Sequence, residues 1–143
     1  MGHIAMAVNT TGSNNVAIGR GSLYNNNADD NTAVGYYSAT AITTGSQNTA
    51  VGTYAMYDCT TGVYNTAVGE SALADVTTGQ RNTAVGRRSS FKNTGSQNTS
   101  MGYNSLYENT TGQYCTALGS RALLNNTTAD NNTAVGTDCA MNV

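Results

Sequence analysis

The sequence predicts an all-β fold, a parallel β-solenoid (β-roll) of 16–17-residue coils, filling residues 1–143 as a single repeat array of about eight coils. Three observations carry this. The pentad Asn-Thr-Ala-Val-Gly, or a near copy, recurs eight times. Its glycines are Gly19, Gly35, Gly52, Gly69, Gly86, Gly102, Gly119 and Gly136, in steps of 16, 17, 17, 17, 16, 17 and 17 residues. Side-chain character inside the pentad alternates as in a strand. Each pentad is also followed, after a short apolar stretch, by a run of Asn, Thr and Gly suited to a turn. A short fixed period means one unit stacked on itself, each copy burying what its neighbour cannot bury alone.

The first element of each coil is a short strand. In Asn65-Thr66-Ala67-Val68-Gly69, Thr66 and Val68 share a face and Ala67 points to the other. The position before Gly holds Ile18, Val34, Val51, Val68, Val85, Met101, Leu118 and Val135, an apolar column expected inside. The Thr two residues earlier (Thr32, Thr49, Thr66 and their equivalents) shares that face and is expected to point inward with it. Two before Gly stands a small column, Ala17, Ala33, Ala50, Ala67, Ala84, Ser100, Ala117 and Ala134, expected on the opposite face. The anchor Gly supplies positive φ at a corner.

A second short strand is expected after the corner. Its third residue from Gly is small (Ser22, Ala55, Ala72) and its fourth mostly large (Leu23, Met56, Leu73), so alternation allows only one of them inside. A loop such as Asn109-Thr110-Thr111-Gly112 then returns the chain. The Asn four before Gly recurs as Asn15, Asn31, Asn48, Asn65, Asn82, Asn98 and Asn132, with Cys115 in the one odd place. Amides that both donate and accept, stacked about 4.8 Å apart, are expected to form a ladder along the axis. Eight coils at that rise make a rod segment of about 40 Å.

Composition narrows the function classes. Charged residues are 10% of the chain and the net charge is −2, so no broad field favours nucleic acid or an anionic membrane. No stretch approaches the roughly 20 apolar residues of a membrane span, and no basic segment followed by an apolar run opens the sequence. The lone histidine, His3, leaves no Ser/His/Asp or Cys/His arrangement, so the chain reads as non-enzymatic, without cofactor or catalytic residue. Asp29, Asp30 and Asp130 lie in loops where Ala replaces the usual Gly; they read as turn formers rather than a Ca²⁺ site, and no metal is expected. Cys59, Cys115 and Cys139 occupy three different phases of the repeat, which excludes a disulfide ladder or a Cys-x-x-Cys metal site. Free thiols suit folding in a reducing compartment.

So thin a coil leaves a surplus small or apolar column outside, and burial against copies of itself is the expected remedy. The repeat runs to both ends without dissimilar capping units, which suggests a fragment of a longer fibre. Receptor or glycan contact is assigned to Tyr36, Tyr37, Tyr54 and Tyr103 near the corners, with Arg87 and Arg88 from the basic cluster for an anionic glycan.

The run Asn-Thr-Ala-Val-Gly-x-x-Ala/Ser resembles the head repeat of trimeric autotransporter adhesins, where Ser-Val-Ala-Ile-Gly-x-x-Ser/Ala recurs. The longer wording, as in Thr60-Thr61-Gly62-Val63-Tyr64-Asn65-Thr66-Ala67-Val68-Gly69, is more similar to repeats of phage tail fibres and related bacterial fibre proteins. The resemblance implies a left-handed roll and a homotrimer. It further implies a structural rod involved in host-receptor or surface attachment, sited in a virion tail fibre. The alternatives are a bacterial adhesin head or a self-assembling filament, at the cell surface or outside it. The regular Thr column also resembles those of ice-binding solenoids, a minor reading that its inward placement disfavours.

Overall fold

A computed structural model describes residues 2–143. Eight three-residue strands form one parallel sheet in sequential order: β1 (Val16–Ile18), β2 (Thr32–Val34), β3 (Thr49–Val51), β4 (Thr66–Val68), β5 (Thr83–Val85), β6 (Thr99–Met101), β7 (Thr116–Leu118) and β8 (Thr133–Val135). Each strand is followed by one coil that returns the chain to pair the next. The fold is thus an all-β parallel solenoid of 16–17-residue coils. Among the described residues there is no helix. Register is strict: Thr49 pairs with Thr66, Ala50 with Ala67 and Val51 with Val68, and the same holds along the sheet. The two 16-residue coils keep that register as well, because the missing residue comes from the loop. Asn93-Thr94-Gly95 stands where the next coil has Asn109-Thr110-Thr111-Gly112.

The structure corrects the inside–outside assignment of the strands. The small column is the buried one: Ala33, Ala50, Ala67 and Ala84 are fully enclosed, while the Val-type column and its Thr partners face outward. The physical reason is width. The hollow opposite the sheet is already filled by Leu23, Met56, Leu73, Leu106 and Leu123, and only a methyl-sized side chain fits against them at native packing density.

The second strand is also replaced, by a run of turns. The second and fourth residues after each anchor Gly are left-handed, as in Tyr54 (φ 55°) and Met56 (φ 51°), or Arg121 (φ 57°) and Leu123 (φ 51°). This bends the chain so that the third and fourth side chains both enter the core, where strand alternation would have admitted one. Each such non-glycine residue costs about 1 kcal/mol, and inter-coil hydrogen bonds hold it in place. Tyr54 N donates to Tyr36 O of the preceding coil (2.9 Å), and Met56 N donates to Ala72 O of the following one (2.9 Å). The anchor glycines have φ from 121° to 143°, as the corner reading required. Space demands them too, since a Cβ at Gly69 would lie 2.6 Å from Gly86 O of the next coil.

The Asn ladder is present and more elaborate than amide stacking. Asn65 N donates to Asn48 Oδ1 (3.0 Å), and Asn65 Oδ1 in turn accepts from Asn82 N (2.9 Å). Asn65 Nδ2 donates to Gly79 O in the next loop (2.8 Å). Each amide thereby ties its own strand entry to the coils on both sides. A second buried column lies seven residues after the anchor Gly. It is polar at Asn26, Asn93, Asn109 and Asn126 but apolar at Ile42, Cys59 and Val76. Where the Asn residues adjoin they bond to one another, Asn109 Nδ2 to Asn93 Oδ1 (2.7 Å) and Asn126 Nδ2 to Asn109 Oδ1 (2.9 Å).

Candidate functional site

Two surfaces stand out. The first is the outer face of the sheet, where the Thr and Val-type columns run side by side from β1 to β8. Val68 is 37% exposed, Met101 50% and Val135 66%. No Asp, Glu, Lys or Arg interrupts either column. A solvent-facing stripe of branched apolar side chains, one per coil, is what a soluble chain covers with another surface. The strands are in register and only three residues long, so each column continues from coil to coil without offset.

The second surface is an aromatic cluster just past the corners of two neighbouring coils. Tyr36 and Tyr37 follow Gly35, and Tyr54 stands one coil above Tyr37. Tyr36 packs edge-on against Tyr37 (centroids 4.6 Å apart) and against Tyr54 (5.5 Å), while Tyr37 and Tyr54 stack at 6.2 Å. Gly21 makes room for this, because a Cβ there would come within 2.7 Å of the Tyr37 ring. Two members were missing from the sequence-based set. Tyr57 packs edge-on against Tyr54 (5.4 Å), and the Arg20 guanidinium lies 6.0 Å from the Tyr36 centroid and 5.9 Å from that of Tyr37. Arg20 was legible from phase alone, since it holds the same place after Gly19 that Tyr36 holds after Gly35. Tyr57 shares the fifth place after the anchor Gly with Tyr24, Phe91 and Tyr107, and of these four only Phe91 and Tyr107, on adjacent coils, stack on one another, at 5.2 Å.

Partial burial among these rings, then the nearby Tyr36 hydroxyl, holds the Tyr54 phenol above its ordinary pKa. Ring faces beside one guanidinium suit stacking on a sugar ring with a polar or anionic group at its edge.

The remaining assigned residues do not join this cluster. Tyr103 sits under Arg87, whose guanidinium is 5.7 Å from the ring centroid and bonds Glu70 Oε2 at 3.1 Å. That bond raises the Arg87 pKa. Arg88 is half-buried, with its backbone N donating to Glu70 O. The assigned residues therefore form two groups on different coils.

The loop acids serve as acceptors between coils rather than within their own turns. Asp29 Oδ1 accepts from Ser13 N (2.7 Å) and Asp130 Oδ1 from Gln113 N (2.7 Å), each reaching to the preceding coil. Asp30 Oδ1 accepts from Asn14 Nδ2 (3.1 Å). No group of three or more His, Cys, Asp and Glu side chains is placed to hold a metal among the described residues. Cys59 and Cys115 are buried free thiols, and burial pushes the Cys59 thiol up to about 11. No helix among the described residues is long and apolar enough to cross a membrane. No protein-family model matches the chain, and no curated protein or solved structure matches it either.

Proposed function

We propose that this chain is a non-enzymatic rod segment of a fibre, self-associating as a homotrimer through the outer sheet face and taking part in attachment to a host receptor or cell surface. The observation that carries the reading is the uninterrupted, solvent-facing Val-type column of β1–β8. Three copies of a flat strip can close on one another around an axis parallel to the rods, leaving the corner tyrosines outside. The cluster of Tyr36, Tyr37, Tyr54 and Arg20 is then the contact for a glycan, with Tyr103 and Arg87 as a second, smaller one. Buried free thiols at Cys59 and Cys115 suit assembly in a reducing cytoplasm, which favours a virion tail fibre over a secreted adhesin.

Light scattering of the purified chain should give about three times 14.8 kDa. A stable monomer at micromolar concentration would refute the trimer. For attachment, a glycan array probed with the chain should give signals that fall when Tyr36 and Tyr54 are both changed to Ala. Unchanged signals would reduce the cluster to surface cover.

One observation favours a second reading. The threonines point outward, so a flat array of Thr and Val methyl groups at a regular repeat faces solvent, the geometry that adsorption to an ice lattice would use. Thermal hysteresis of a monomeric preparation decides between them. The fibre reading expects none.

A further inference from the structure

The apolar interior is not continuous. One cluster includes Leu23, Met56 and Leu73 and ends at Ala84; a second begins at Leu106 and contains Leu123 and Ala134. Between them the coil 86–101 fills the same phases with polar side chains. Ser90 stands where Leu73 and Leu106 stand and Ser100 where Ala84 and Ala117 stand, while Asn93 continues into the Asn109 and Asn126 column of the second block. The buried hydroxyls satisfy one another. Ser89 Oγ bonds both Ser100 Oγ and Ser105 Oγ (2.9 Å for the latter), and Ser90 Oγ bonds Ser100 Oγ at 2.8 Å. Three buried side-chain polar atoms have no hydrogen-bond partner among the described residues: Arg88 Nε, Asn93 Nδ2 and Asn104 Oδ1. All three lie in this coil or at the start of the next.

The outer surface here is unusual in the opposite sense. Phe91 stacks on Tyr107 (5.2 Å), Lys92 Nζ pairs with Glu108 Oε2 (2.7 Å), and Arg87 lies over Tyr103. These contacts tie the polar coil to the next one from outside, and exposed contacts of this kind are individually weak.

We infer that the solenoid is two cooperative apolar blocks joined at a polar coil, residues 86–101, which opens first and gives the rod a yielding joint clasped from outside. Apolar burial is the main drive for stacking one coil on another. This coil lacks it, and its unpaired buried groups regain water on opening. Backbone geometry does not distinguish the joint. Ser90 N donates to Ser105 O at 2.8 Å, against 2.9 Å for Met56 N to Ala72 O and for Leu106 N to Ala122 O. Any difference in opening among these three amides therefore reports the side chains.

Native-state hydrogen exchange of the full chain in its own assembly tests this. The protection factor of the Ser90 amide should be about ten-fold or more below those of Met56 and Leu106. Equal protection, within about three-fold, would overturn the inference. The paired change Ser90→Leu with Ser100→Ala makes the core continuous and leaves Ser89 bonded to Ser105. It should bring residue 90 up to its neighbours, and a gap that persists also overturns the inference. Ser100→Ala alone strands the Ser90 hydroxyl and should widen the gap; a narrower gap counts against the joint. Should the paired variant fail to fold, the wild-type and Ser100→Ala measurements still decide.

Discussion

Ala67→Asp and Val68→Asp place the same charge at adjacent residues, and the structure sends them to opposite faces of one strand. Ala67 is fully enclosed between Ala50 and Ala84, against a hollow filled by Leu and Met, with no Lys or Arg among the buried described residues to pair a carboxylate. Desolvating that charge costs several kcal/mol even after relaxation, and the added volume costs about 1–3 kcal/mol more. Set against a total stability of about 5–15 kcal/mol, Ala67→Asp should abolish the cooperative melt. At Val68 the carboxylate stays hydrated. What is lost is partial contact with Val51 and Val85, about 1 kcal/mol, so the isolated chain should melt no more than about 5 °C lower.

Association sharpens the contrast. Stabilisation by self-association follows mass action, so wild type should melt higher as concentration rises, whereas Val68→Asp should not. Circular dichroism melts over a concentration series, read beside light scattering, measure both effects. If Val68→Asp in dilute solution unfolds as completely as Ala67→Asp, the outward placement of the Val column is wrong.

Three further predictions concern single side chains. Cys115 interrupts the Asn ladder: it accepts nothing from Asn132 N, and its thiol donates to Ala129 O at 3.3 Å. Cys115→Asn should restore the amide link and raise stability by about 1 kcal/mol, whereas Asn65→Ala strands Asn82 N and Gly79 O and should cost about 3 kcal/mol or more, both read by chemical denaturation. Asp75 sits among Asp58 and Lys92 in one column, and burial, then the Asp58 charge, raises its pKa while Lys92 opposes the shift. A raised carboxyl pKa contributes stability below its unfolded value that is lost as pH rises through its folded value. Asp75→Asn should therefore stabilise the chain near pH 7 and have little effect near pH 3, and denaturant midpoints at the two pH values check this.

The columns were legible because each phase of the repeat carries one kind of residue, so period, strand register and the Asn ladder could be read directly. Which face was inside could not be read from polarity, since Ala and Val are both apolar. The usable signal was size. The buried column holds only Ala or Ser, whereas the outer one tolerates Ile, Val, Met and Leu. A close-packed interior fixes volume, and an open face does not. The turns after each corner were hidden because left-handed Met, Leu, Tyr and Arg residues violate local preference and are imposed by bonds from neighbouring coils. The tyrosine cluster was half visible. Tyr36, Tyr37 and Tyr54 were identified from their place near the corner; Arg20 holds the phase of Tyr36 one coil away, and Tyr57 joins through an edge-on contact with Tyr54 of its own coil.

Strict register has a consequence for how such a rod could change its length. Every ladder joins like to like, Thr49 to Thr66, Ala50 to Ala67 and Asn48 to Asn65. Excising residues 53–69 would bring Gly52 to Glu70 and present β5 to β3 with each partner type unchanged. Nothing in the remaining coils would need to move sideways. Reach is therefore a quantity that gene duplication or slippage can add or remove in single coils, while contacts confined to a few adjacent coils, such as the tyrosine cluster with Arg20, travel along the rod as intact cassettes.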